Sequence, residues 1–285
     1  PAGKVSVAFG VEARREKLDQ KGGPAGVTFG FTNFASVSGR NTTNEAFAEA
    51  MVPVLRDIPL IKRLEVNGAA RITKDNTGSI WSWKVGFLHD VVDGVTVRAA
   101  TSRDIRAPFL NELYAGRIAG LFTVTDPEQG GDVFSVTAFT GGNPDLRPEV
   151  SRTHTFGARV RPAMVPGLSV SGDYYNIRIK NAISTLTAQQ IVDLCAAGGA
   201  GACSAITRGS DGRISTISST QLNLLSLQTR GLDVGVRYSR SLAPERKIGL
   251  DAHLNRVFDF DTDNGLTTID FVGSHAGAFG LGIAR

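Results

Sequence analysis

At 285 residues the chain is long enough for one large domain or two ordinary ones, and 41% hydrophobic with 20% charged residues excludes a disordered protein. A formal net charge of +4, spread along the chain, argues against a nucleic-acid partner. Its 33 glycines point to turn-rich β-structure, and no apolar run reaches the roughly 18 residues of a transmembrane helix. That last exclusion leaves membrane β-barrels untouched, because their strands only alternate apolar and polar residues over about 10 positions.

Taken in order, Lys4 to Arg14 sets Val5, Val7, Phe9 and Val11 against Lys4, Ser6, Gly10, Glu12 and Arg14, the period-2 pattern of a strand with one wet face. Arg15 to Thr43 is polar and glycine-rich and reads as a long loop. Asn44 to Val54 is a weaker strand, joined through Asp57, Ile58 and Pro59 to a third at Arg63 to Thr73. Asp75 to Gly78 carries hairpin chemistry, since Asn and Gly tolerate positive φ. The clearest strand follows, with Trp81, Trp83, Val85 and Phe87 on one face; the pair of tryptophans fits an aromatic girdle or an aromatic-rich soluble core. After a tight connection at Asp90 to Gly94, Val95, Val97 and Ala99 oppose Thr96, Arg98 and Ser102.

Ser102 to Glu149 shows few strand signals and reads as a very long loop with proline-marked ends. Ser151 to Arg161 and Leu168 to Lys180 are strands again. In the second, Ile177 and Ile179 leave the phase of Leu168, Val170 and Tyr174, which a bulge or emergence from a bilayer would explain. Thr187 to Ala196 is the best helical candidate, inside a second long loop that runs to about Gln228. Leu232 to Ser239 and Ile248 to Asn255 complete nine candidate strands, and the tail from Phe271 is poorly patterned.

If the strands run up and down in sequence, nearly all the long connections fall on one rim and the tight ones on the other. Outer-membrane barrels have this asymmetry. A soluble β-sandwich also alternates, but with its apolar face inward and without loops above about 40 residues. Cys195 and Cys203, eight residues apart in a Gly/Ala-rich segment, can close a small disulfide loop or stand as two free thiols. The four histidines are scattered, and no nucleophile, metal or phosphate-loop motif is present, so neither an enzyme nor a cofactor is indicated.

S-R-D-I-R-A-P-F-L-N-E-L-Y (Ser102 to Tyr114) and G-N-P-D-L-R-P-E (Gly142 to Glu149) resemble two segments of TonB-dependent outer-membrane receptors, and Pro166 to Ile183 resembles the strand that comes next. The three blocks stand in the family's order over about 80 residues, with weaker similarity along most of the chain. The resemblance implies an all-β, antiparallel transmembrane barrel, 22-stranded in the family, of which this chain would supply about nine or ten strands with long extracellular loops. It implies import of a scarce ligand (an iron-siderophore, a cobalamin-like molecule or a carbohydrate) using energy relayed through a plug domain by an inner-membrane coupling protein. Residues 1–285 match neither the plug nor the closing strand of that pattern, so the expectation is a fragment of the barrel domain, placed in Gram-negative outer membrane among lipid and lipopolysaccharide. A passive porin or adhesin-type barrel is the alternative.

Arg103, Arg106 and Arg117 are the candidate ligand contacts, because a guanidinium offers a planar fork of donors to an anionic chelate. They would otherwise pair with Glu112, Glu128 or lipopolysaccharide, or brace the wall against the plug. Lys84, Arg98, Arg159, Arg161, Asp173 and Arg237 fall on the polar, lumen-facing side.

Overall fold

A computed structural model describes residues 2–22, 36–243, 246–264 and 268–273. The elements in chain order are β1 (Ser6–Gln20), β2 (Val37–Ile58), β3 (Ile61–Asp75), β4 (Gly78–Val92), β5 (Val95–Arg106), α1 (Leu110–Tyr114), β6 (Ile118–Asp126), β7 (Asp132–Gly141), β8 (Glu149–Val160), β9 (Leu168–Thr185), α2 (Ala188–Ala196), α3 (Ala200–Cys203), β10 (Ile206–Arg208), β11 (Ile214–Ala243), β12 (Arg246–Asp263) and β13 (Thr268–Asp270). The wall is an antiparallel sheet in the order β1-β2-β3-β4-β5-β8-β9-β11-β12-β13, so all nine expected strands are present and in sequence. Among the described residues the sheet does not close: β1 and β13 end it, as in part of a barrel.

Side-chain parity makes the wall inside-out. Phe9, Val11, Trp81, Phe156 and Leu254 are 84, 85, 57, 55 and 64% exposed, while their polar neighbours line the concave side. A sandwich would have buried that apolar face against a second sheet. Among the described residues no second sheet covers it, and an outward apolar face is what a membrane barrel presents to lipid. Strict antiparallel pairing puts the short connections β2–β3, β4–β5, β8–β9 and β11–β12 on one rim. The β1–β2, β5–β8 and β9–β11 connections stand on the other, together with the Asp75–Gly78 hairpin, whose Asn76 is tied to the backbone of Arg40 and Thr42.

Three expectations about the long-loop rim need correction. β1 continues to Gln20 and β2 begins at Val37, so only the middle of the first loop remains, and residues 23–35 lie outside the described residues, as does the tail after 273. The 102–149 stretch is no structureless loop: it holds α1 and a paired β6–β7 hairpin. β11 starts at Ile214, inside the second supposed loop, and its 30 residues give a contour of about 100 Å, far beyond the roughly 25 Å apolar band. In all three places the chain has left the apolar band, so lipid no longer imposes one apolar face. Arg15 to Gln20 is almost all polar, and the buried apolar residues of β6, β7 and the start of β11 pack on one another instead. The phase slip in β9 is not a bulge against β8, because their register runs unbroken from Val150↔Lys180 to Val160↔Val170. Ile177 and Ile179 simply sit on the inner parity, high on the wall.

Buried apolar packing lies mainly above the wall. Val124 and Val136 of the hairpin, Ile191 and Val192 of α2, and Ile214 and Ile217 of β11, each at most 5% exposed, are the centre of a buried core. β7 pairs in parallel with the upper part of β11, from Thr216↔Thr137 to Thr220↔Gly141, so this cap grows directly out of a wall strand.

Candidate functional site

The base of the large loop is closed by one arginine. Arg106 ends β5 and Glu149 begins β8, and the two are register partners with inward-facing side chains. Arg106 Nε and Nη2 donate to Glu149 at 2.8 and 2.6 Å, and Nη1 and Nη2 donate to Glu112 of α1 at 2.9 and 3.0 Å. Two bidentate forks thus engage four of the five N–H donors a guanidinium owns. Each carboxylate also accepts a backbone N–H, Glu149 from Ile183 and Glu112 from Phe109, both at 2.7 Å. The second of these caps the five-residue α1, which is too short to hold itself. With the Phe109 ring centroid 5.0 Å from the guanidinium carbon, Arg106 ties β5, α1, β8 and β9 into one clasp.

The returning segment docks on that clasp. Gly142 N–H donates to Ala115 O and Asn143 N–H to Glu112 O, at 3.0 and 2.8 Å. A Cβ on Gly142 would stand 2.5 Å from Ala115 N and 2.7 Å from Leu113 C, so the close crossing requires glycine. Asn143 Nδ2 donates to Gln221 O at 2.9 Å, and Asn223 Nδ2 donates to Arg147 O and Asn181 O at 2.8 Å each. Leu113 and Leu146, 1 and 2% exposed, fill the space beneath.

Above the clasp the cap carries its own polar framework. Asp126 is fully buried and accepts both Nη groups of Arg208 as well as the Glu128 N–H. The Arg208 guanidinium holds the Asp126 carboxyl below the usual carboxylate range. Thr187 and Gln190 form a capping box at the start of α2, and Gln189 bonds both the N–H and the carbonyl of Thr125, docking the helix on the hairpin. A disulfide joins Cys195 to Cys203 between α2 and α3, with Cα atoms 4.7 Å apart.

Below the clasp, on the concave side of β1–β5, lies a cavity of about 640 Å³ bounded by Arg14, Glu45, Arg71, Asp104, Arg106 and Phe109. Its charges are largely matched: Glu45 accepts from Arg71 and Thr73 at 3.0 and 2.6 Å. Further along the wall Arg98 donates to Asp173 through Nε at 2.8 Å, across Gly157, where a Cβ would come within 2.0 Å of the carboxylate. The arrangement is a polar inner wall, with several of its charges paired, under a cap that has its own buried core. No cluster of His, Cys, Asp or Glu able to hold a metal occurs among the described residues.

A family model described as TonB dependent receptor-like, beta-barrel, matches residues 3–282. The chain belongs to that family. Solved structures of similar fold include the ferric enterobactin receptor PfeA of Pseudomonas aeruginosa in a mutant form, at 19% identity and TM-score 0.61, covering 90% of this chain and 33% of that one. The siderophore receptor PirA of Acinetobacter baumannii aligns at 12% identity and TM-score 0.65, over 94% of this chain and 36% of its own. The RagAB peptide transporter aligns at 13% identity and TM-score 0.56, over 91% and 28%. This sequence therefore spans about a third of the length of such receptors. A comparison with curated protein sequences finds no match.

Within this TonB-dependent receptor barrel the candidate arginines part company. Arg106 is the clasp and has its donors committed to Glu112 and Glu149. Arg103, three residues earlier, has the opposite parity and lies on the apolar outer face beside Trp83. Arg117 is exposed at the foot of the cap, stacked 3.9 Å from the Phe139 ring centroid. Glu128 pairs with Arg208, not with any of the three. Asp126 and Arg208 were not legible beforehand; 82 residues separate them, and neither stands in a motif.

Proposed function

We propose that this chain is part of the barrel of an outer-membrane receptor that captures a scarce ligand in its outer cap and passes it through the lumen with energy delivered from the inner membrane. The carrying observation is the clasp: the family's own motif residues are spent on anchoring a preformed cap over a polar channel wall. Preorganisation of this kind lowers the ordering cost of binding a dilute ligand. An iron-siderophore is the favoured ligand class, supported by neighbours named as siderophore receptors, with cobalamin-like molecules and carbohydrates next. Arg117 is the contact we assign to the cap, since of the three candidates it alone is exposed there.

The test is uptake of iron-loaded siderophores by cells carrying the full-length receptor, against a deletion strain, with and without a proton-gradient uncoupler. The expected result is surface binding that survives the uncoupler and uptake that does not. Uptake indifferent to the uncoupler would instead establish the passive-porin reading. A receptor whose gel mobility is unchanged by boiling would not be a membrane barrel at all.

A further inference from the structure

The outer face carries a feature that ligand import does not use. Cross-strand register aligns Trp83 of β4, Arg103 of β5, Arg152 of β8, Arg178 of β9 and Gln228 of β11 in a single row on the apolar parity. Three guanidinium groups therefore stand directly opposite one another on adjoining strands, which lie about 4.8 Å apart. Like charges so placed repel and destabilise a sheet. No carboxylate neutralises them: among the described residues none of the three forms an ion pair, and Arg178 instead donates to the neutral Gln228 through Nε at 3.0 Å. Arg71, Arg98, Arg106, Arg230 and Arg237 each have an acidic partner.

The height of the row is equally specific. On β5 it lies eight residues from Val95 at the short-turn rim, about 27 Å along the strand. For strands tilted by about 35–45° that is roughly 20 Å of vertical rise, near the upper edge of an apolar band about 25 Å tall. Between them the outer face changes in order, from Val95, Val160 and Val170 through Ala99, Phe156 and Tyr174 to Thr101, His154 and Asn176, and then the arginines. Aliphatic contacts give way to polar ones, and those to bare positive charge, on the side of the long loops.

We propose that Arg103, Arg152 and Arg178 form a binding strip for the phosphate groups of anionic lipid headgroups in the leaflet facing the cap. Phosphate matches the planar fork of arginine bidentately, and one phosphate reaches two strands at this spacing. Trp83 at the end of the row supplies an amphipathic ring of the kind that sits at headgroup level. The strip rests on the outer-membrane placement proposed above.

The test compares the full-length receptor with its Arg103→Gln/Arg152→Gln/Arg178→Gln variant in neutral detergent. Native mass spectrometry reads retention of bisphosphorylated lipid A and of the same glycolipid stripped of its phosphates. Wild type should prefer the phosphorylated form by at least about tenfold, and the triple variant should lose that preference. Should the triple variant lose its heat-shifted gel band, the three single variants carry the test, each expected to lose about threefold. Equal retention by wild type and a heat-shifting variant overturns the proposal, and so does a wild type indifferent to phosphate. Capture of a soluble acidic protein in place of the glycolipid overturns it too. A shifted band with no phosphate preference would remove the strip and leave the barrel standing.

Discussion

Replacing Arg106 with Gln is the sharpest perturbation the clasp offers. It removes four charge-assisted hydrogen bonds and leaves Glu112 and Glu149, whose side chains are only 19 and 13% exposed, facing each other without a cation. Breaking a buried pair from one side costs about 3–5 kcal/mol. The arginine itself is 34% exposed, and each glutamate keeps its backbone donor, so about 2–4 kcal/mol is the appropriate range. The loss falls on the loop base, because the β5–β8 ladder below does not depend on it. Hydrogen–deuterium exchange on the full-length receptor should therefore show opening of residues 107–116 and 142–148 increase by about 30- to 1,000-fold, with strands β3 and β4 unchanged. Adding Glu112→Gln and Glu149→Gln should restore part of the protection, since no unpaired charge is then left. Unchanged exchange at the loop base in R106Q, or no recovery in the triple variant, would refute the clasp.

Parity on β8 makes a second prediction: Phe156→Arg, on the lipid side, should cost about 2–4 kcal/mol of barrel stability, whereas Thr155→Arg, one residue away, should cost less than about 1, as read by urea unfolding in vesicles. Reducing the Cys195–Cys203 bond frees a short loop and should weaken the cap by about 2.5 kcal/mol, seen as faster proteolysis between 188 and 213 with the heat-shifted band intact. Asp126 has a depressed pKa in the folded cap, so its ion pair contributes in full above the unfolded carboxyl pKa near 3.9 and is lost as pH falls through the lower folded value. The protease resistance separating wild type from Asp126→Asn should thus be constant from pH 7 down to about 4 and shrink below it.

The wall was legible because lipid imposes a period of two on every strand that crosses it. Val5 to Val11, Trp81 to Phe87 and Leu232 to Tyr238 show it without help. Above the apolar band that constraint ends. Arg15 to Gln20 is a paired strand with no apolar face to reveal it. Ile214 to Gln228 mixes cap-facing Ile214 and Ile217 with wall positions, so no period of two shows. The β6–β7 hairpin was missed for a related reason, since Val124 and Val136 bury themselves against α2 and β11, partners far away in sequence. For the candidate site, the motif blocks marked the right residues, yet residue type alone could not separate Arg103 from Arg106. Three positions along a strand reverse the face, and only the register with Trp83 and Glu149 shows which is which.

The buried core above β11 has one more consequence. Because Ile214 and Ile217 belong to the same continuous strand whose Val234 and Val236 line the lipid face, cap and wall share a backbone but not a packing problem. The wall asks of most positions only the right polarity, close approaches such as Gly157 excepted; the cap requires shapes that interlock. A chimera exchanging residues 117–141 together with 186–220 would carry the cap's buried core with it, and would need from its host the loop base: the arginine and two glutamates, the Gly142 crossing, and the Asn143 and Asn223 bonds.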